Sequence, residues 1–425
     1  MTGTLTLTDA DERKLAGGEG PGMAMAMRMI VALARVSGAP RLIDISSAHI
    51  DGCLYHGQAG LDFVEKLVSL GAEVSVPTTL NVSSLDLLHP GLVRLAPAES
   101  SAATRLMDAY VALKARATWT CAPYQLAASR PDRGSDIAWA ESNAIVFANS
   151  VLGARTDRYG DFADVCAAIT GRAPFAGLHL DDNRVPTVEL DCSSVPRHVL
   201  DSDAVWAVLG CVVGDTVGGR VPILTGVDVG VVDEDRLKAL GAAAASSGGV
   251  ALFHVAGATP EAVDAGASWP APGVPRIQIS TLMLRQARDR LTTAVASSGI
   301  DAVSLGTPHF SIAEFEKLAS VLADRVPFDP SCTVWISTSR DVLALAQEKG
   351  YAQLCEEVGA RLVVDTCTYV TPILGDGVRT AMTTSGKWAW YAPANLGIDV
   401  VFGTLEECVD SARTGRVVRH DAAWA

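Results

Sequence analysis

RLIDISSAH at residues 41–49, GLDFVEKLVSLG at 60–71 and AEVSVPTTLN at 72–81 run in succession: an apolar run with a small polar end, a segment with apolar residues at helical spacing, and a second apolar run with a polar end. Those periodicities predict a strand, a helix and a strand, a β-loop-α-β unit whose strands are parallel. Loops at the carboxyl ends of parallel strands carry ligands. Ser46, Ser47, His49, Thr78, Thr79 and Asn81 are therefore expected on one functional rim.

The same layout recurs downstream. GVALFHVAGATPEA (249–262) reads as a strand turning into a helix at Pro260, a residue tolerated in a first helical turn. Residues 301–324, 332–350 and 360–373 repeat it, each strand ending in Ser, Thr, Cys or His, and 205–226 is a glycine-punctuated apolar segment. The expected fold is a multi-lobed α/β body. No repeat or low-complexity tract marks the lobe boundaries, and the first twenty and last dozen residues read as surface or docking segments.

The 425 residues carry 34 Lys and Arg against 48 Asp and Glu, a net charge of −14 with no basic stripe, which argues against nucleic acid and anionic membranes as partners. MAMAMRMIVALARV (23–36) is too short, and too charged at Arg28 and Arg35, to span a bilayer. Nine scattered cysteines without a secretory signal point to a reducing cytoplasm, where a special cysteine is a metal ligand or a nucleophile.

Two cysteines stand out. Cys121 lies in TWTCAPY, where Pro123 keeps it out of a regular helix, and Cys367 follows an apolar strand in VVDTCTYVTP. Cys53, among the polar and glycine residues of HIDGCLYHG, is a third candidate. Buried small hydrophobes are the usual fate of cysteines, and that reading holds for Cys166, Cys211 and Cys355; Cys192, Cys332 and Cys408 stay open. No CxxC spacing exists, but single cysteines at loop ends can converge on an iron–sulfur cluster.

Arg155, Arg158 and Arg172 sit near Gly or Pro and suit a bidentate grip on a carboxylate; the alternative is pairing with Asp157, Asp161 or Asp164. Lys387 follows a Ser-Gly turn beside aromatics, as a fixed cation would, or as a solvated surface lysine. His49, His179, His254 and His309 follow apolar runs, where ligands, acid–base groups and structural histidines all occur. HExxH, GxSxG, P-loop and suitably placed GxGxxG motifs are absent, which removes the usual support for nucleotide, nicotinamide and serine-hydrolase readings.

Taken together, SSAHIDG (46–52), VPTTLN (76–81), TCAPY (120–124), WAESNAIVFANSVLGARTDRYGDF (139–162), AAITGRAPFAGLHLDDNR (167–184), ATPEA (258–262), GTPHFS (306–311), DTCTY (365–369) and SGKWAWYAP (385–393) resemble, in order, the catalytic part of the aconitase X family. The resemblance spans 1–425. It implies an aconitase-like α/β catalytic body, an iron–sulfur cluster, and dehydration of cis-3-hydroxy-L-proline or of mevalonate 5-phosphate, the former favoured because HIDGC and GTPHFS look like the bacterial branch. It assigns Cys121 and Cys367 to the cluster, Arg155 or Lys387 to the substrate carboxylate, and Ser142, Asn143 and Asn81 as orienting groups; His49 joins the catalytic set, and Thr78, Arg158 and His179 the substrate rim.

Two departures qualify the resemblance. Other branches carry Gly-Cys-Pro-His where this chain has Gly306-Thr307-Pro308-His309, so the expected centre is of [2Fe-2S] type with a different ligand set, Cys53 being one recruit. The family's small swivelling domain has no counterpart within these residues and is expected on a separate subunit. A cluster-free scaffold or binding subunit is the reading from another class, and an α/β hydrolase-like body with structural cysteines is the bland one.

Overall fold

The computed structural model describes residues 5–294 and 299–420. It forms two compact units, one of residues 1–85 and 95–185, the other of 86–94 and 186–425. Residues 1–4 and 421–425, the tips of the two segments read as surface stretches, lie outside the described residues.

The first unit holds β1 (Leu42–Asp44), β2 (Ala48–Ile50), β3 (Thr78–Leu80), β4 (Ala138–Trp139) and β5 (Arg172–Pro174). The stretch 41–49 is thus not one strand: β1 pairs antiparallel with β5, while β2 lies between β3 and β4 in a parallel sheet. The Ser46-Ser47 pair makes the break. The helices Pro21–Val36 and Gln58–Ser69 cover this unit's core; Met27, Ile30, Val31 and Ala34 point in while Arg28 and Arg35 stay outside. The helix Asp9–Leu15, inside the segment read as a surface stretch, is anchored by its buried Asp11, which pairs with Arg172 at 2.9 Å.

The second unit carries two parallel sheets. One has the order β8 (His254–Val255), β7 (Pro222–Thr225), β6 (Val188–Asp191), β9 (Arg276–Gln278). The other runs β12 (Ala360–Val363), β11 (Thr333–Thr338), β10 (Ala302–Phe310), β13 (Thr380–Thr383), β14 (Asp399–Phe402). The segment 205–226 resolves into a helix, Asp203–Val217, followed by β7. All nine residues of β10 are buried, as expected of a central parallel strand covered on both faces.

Most of the polar strand ends have a local purpose. Ser311 after β10, Ser339 after β11, Ser385 after β13 and Thr404 after β14 each accept a backbone N–H and cap the next helix, satisfying donors that the first turn leaves unpaired. β12 differs, since no helix separates it from β13. Its loop, Val364 to Thr368, has no helix to cap and carries Cys367.

Strand order also locates a site. In the five-stranded sheet the chain moves outward from β10 to β12, then returns to β13 on the other side of β10. At such a switch point adjacent loops diverge and leave a crevice at the carboxyl ends.

Candidate active site

At that crevice stand His309, near the end of β10, and Cys367, in the loop before β13, both fully or almost fully buried, with ligand atoms within 4.8 Å of each other. The His309 Nε2 donates to the Thr366 carbonyl at 3.2 Å. A carbonyl can only accept, so the lone pair of the neutral ring sits on Nδ1. Gly306 sets the local path: its φ is +84°, and a Cβ there would stand 2.0 Å from the Ser337 carbonyl oxygen, which only glycine avoids.

The Cys367 loop is pinned on every side. Thr371 donates to the Cys367 carbonyl at 3.0 Å, and the Trp388 indole donates to Thr368 at 2.9 Å. Asp365, in the left-handed region at φ 63°, is gripped by Arg340 through two 2.6 Å bonds and also accepts from Leu87 N–H. Burial still pushes the Asp365 carboxyl up despite Arg340. Such a loop holds its sulfur in place before any ligand arrives.

Beside the pair, a cavity of about 40 Å³ is lined by Thr307, Lys238, Glu314, Ser385 and Lys387, among others. Lys238 is committed to Asp235 at 2.9 Å and to Glu314. The Thr307 hydroxyl is buried without a hydrogen-bond partner among the described residues. Lys387 is 5% exposed, in the first turn of the helix Gly386–Leu396; the solvated-lysine reading is therefore wrong.

In the first unit, Cys121 is buried in the turn before the short 3₁₀ helix Pro123–Gln125. The Asn143 side-chain amide donates to its carbonyl at 2.8 Å and accepts from Tyr124 Oη at 3.0 Å. Asn143 therefore orients the cysteine turn, and both its groups are spent on protein. Glu141 caps the helix Ser142–Phe147 through Ala144 N–H and accepts from Ser142 Oγ at 3.2 Å. This helix follows β4, at the switch point of the β3-β2-β4 sheet.

The expected rim is divided. Asn81 follows β3 and donates to Asp51, whereas Ser46, Ser47 and Thr78 lie at the opposite, amino-terminal end, because β2 and β3 start later than the apolar runs do. Thr78 donates back to the Val76 carbonyl at 2.8 Å. His49 is fully buried, with Nδ1 2.8 Å from Thr79 Oγ1 and Nε2 unpartnered among the described residues. Burial lowers its pKa to about 4, against the raising influence of Glu141.

Several expected site residues have partners within the protein. His179 is bound at both nitrogens, to Asp136 at 2.7 Å and Tyr159 at 2.5 Å. Arg155 pairs with Asp181 and donates to the His179 carbonyl, Arg172 pairs with Asp11 and Asp44, and Arg158 is exposed. Ion pairing is correct for Arg155 and Arg172, but with other partners than the neighbouring aspartates. His254 is buried against the Trp269 ring. The Cys53 thiol donates to the Ile50 carbonyl at 3.4 Å, burial and the charge of Asp164 push its pKa well up, and among the described residues it joins no cluster of three ligand-type groups. None of the nine cysteines forms a disulfide, and all are buried.

Two residues escaped the sequence reading. Arg184 is buried and gives its guanidinium to Asn149 and to the carbonyls of Leu178, Asn149 and Ala154, fixing the 149–158 loop. Arg340 holds the Cys367 loop. Neither has a local signal beyond its charge next to a predicted strand end.

Parallel sheets with a buried thiol–imidazole pair at a switch point define an α/β class of protein, one that a solved structure shares. The crystal structure of Thermococcus kodakaraensis aconitase X in its holo-form superposes with a TM-score of 0.86 at 35% identity, over 96% of this chain and 100% of that one. Within that class, the chain belongs to the aconitase X family: models of its first, second and third domains match residues 4–182, 186–289 and 300–414. Cis-3-hydroxy-L-proline dehydratases from Pseudomonas aeruginosa and Hypocrea jecorina are 42% and 40% identical, each over 97% of this chain and over 71% and 69% of their own lengths. The phosphomevalonate dehydratase large subunit of Methanothermobacter thermautotrophicus is 38% identical over 94% of this chain and 97% of its own. No described helix is long and apolar enough to cross a membrane.

Proposed function

We propose that this chain is a cytoplasmic iron–sulfur hydro-lyase of hydroxyproline catabolism that dehydrates cis-3-hydroxy-L-proline to Δ1-pyrroline-2-carboxylate, acting with a small swivelling-domain subunit. The observation that carries this reading is the buried His309–Cys367 pair at a switch point in a chain 42% and 40% identical to two dehydratases of that name. Subunit nomenclature in the archaeal phosphomevalonate relatives supports a small partner.

Cys121, His309 and Cys367 would hold the cluster, with [2Fe-2S] favoured. The donor set suits it: soft thiolates and an imidazole are iron–sulfur ligands, and His309 supplies a donor that Thr307 cannot. When bound, the cluster supplies Lewis-acid assistance to departure of the C3 hydroxyl. Lys387 binds the substrate carboxylate, where a fixed cation stabilises the charge that develops as the C2 proton leaves. Thr307 Oγ orients the carboxylate from the side. His49 takes a proton at Nε2, its neighbour Glu141 balancing the imidazolium; Ser142 and Asn81 orient the ring. Loss of the C2 proton and the C3 hydroxide leaves an enamine, which tautomerises to the product imine.

Mevalonate 5-phosphate is the second reading, supported by relatives of 38% identity and below. Anaerobic co-purification with a candidate small subunit, iron and sulfide analysis, and assays with both substrates decide. Iron-dependent turnover of the imino acid is expected. Turnover of the phosphate alone would reverse the substrate, and an iron-free, inactive complex would leave a scaffold.

A further inference from the structure

The first unit contains a second cavity, away from Asn81 and Asp51. It is a cleft of about 540 Å³ at the amino-terminal ends of β2 and β3, within the size range of small-molecule sites. Lys114, Arg116 and Arg130 line it, with Asp132 as the single carboxylate. Three cations around one cleft stand out in a chain of net charge −14. We propose that this cleft binds a phosphate-bearing small molecule, at a site separate from the dehydratase centre.

Lys114 gives the strongest reason. It occupies the position after the C-cap of the helix Pro97–Ala112, with φ 69°. Glycine is the residue that takes this left-handed position without strain. Here a lysine takes it and lines the cleft, and among the described residues it pairs with no carboxylate. A cation kept in an unfavourable backbone state, without a protein partner, suits an anionic ligand from outside.

The other walls supply the remaining chemistry. Trp139 is 1% exposed and its indole N–H has no partner among the described residues; Ser47 Oγ is likewise buried and unpartnered. Both residues line the cleft with Pro77 and Val76; their unpartnered polar atoms lie beneath its surface, while the more exposed Pro77 and Val76 supply an apolar face. An organic phosphate has the matching parts: a polyanionic head for the cations and an organic body for the Val76 and Pro77 surface.

Calorimetric titration of the purified full chain with inorganic pyrophosphate and inorganic phosphate tests this. Saturable one-to-one binding of pyrophosphate, tighter than phosphate and weakened by salt, is expected. Lys114→Gly fits the left-handed backbone, so the variant keeps the fold while losing the cation; it and Arg116→Ser should each weaken pyrophosphate by about tenfold or more. Absence of saturable binding, or binding unchanged in Lys114→Gly, would overturn the proposal. So would a Lys114→Gly chain that sheds its small subunit while pyrophosphate never bound, which would make the cleft a docking surface.

Discussion

The Asn143 side-chain amide donates to the Cys121 carbonyl at 2.8 Å while its oxygen accepts from Tyr124 Oη. One buried amide thereby sets the direction in which the cysteine turn leaves the sheet. Asn143→Ala removes both of these buried bonds and should cost about 2 to 4 kcal/mol of stability. Iron content of the purified protein should fall with it. Full iron loading in a destabilised Asn143→Ala chain would separate this amide from cysteine placement.

Cys367→Ser and His309→Ala should each purify folded, because Thr371, Trp388 and Arg340 still hold the loop when either side chain is cut back, His309→Ala giving up the bond to the Thr366 carbonyl. Bound iron and visible absorbance should be lost in both. Iron retained at wild-type stoichiometry in His309→Ala would remove the imidazole from the ligand set.

The Arg340–Asp365 pair sits against a carboxylate with no exposed side-chain surface, while the arginine is 35% exposed. Removing one partner of a buried pair costs about 3 to 5 kcal/mol, and the exposure of Arg340 reduces that to about 2 to 3. Arg340→Ala should lower the midpoint of thermal unfolding accordingly. A neutral result would mean that water replaces the guanidinium.

His49 gives a pH signature. Its folded pKa of about 4 lies below the ordinary histidine value of 6.5, so the unfolded chain binds the extra proton between those pH values. Stability from this group is complete above pH 6.5 and is lost as pH falls toward 4, by up to about 3 kcal/mol. His49→Asn, which keeps a donor for Thr79, should flatten the acid limb of the stability curve. An unchanged slope would show that other groups set it.

Lys387 is proposed to meet the substrate carboxylate. Lys387→Met should reduce kcat/KM by about tenfold to a hundredfold or more, the worth of a charge-assisted bond. Normal iron content would accompany the loss. A variant with unchanged kcat/KM would move the carboxylate contact elsewhere.

The sequence by itself determined the class of fold and the family. Apolar runs alternating with helical periodicity are local properties, and strand, helix, cap and turn residues are chosen within a few positions of one another. The reading of Cys121 and Cys367 as displayed thiols also rested on local cues: a proline turn, and a place just past an apolar strand among Asp365, Thr366 and Thr368. Tertiary structure decided what each polar strand end is for. Ser311, Ser339, Ser385 and Thr404 are spent on helix caps, His179 on Asp136 and Tyr159, and Arg155 and Arg172 on distant aspartates. Those partners lie as far as 161 residues away, and no periodicity encodes them. The division of the 41–49 run into two strands of different sheets was likewise beyond local reading, since register is fixed by which neighbour buries each face. Pairing of His309 with Cys367 needed the crossover from β12 back past β10, a property of sheet order and not of either residue's surroundings in the chain.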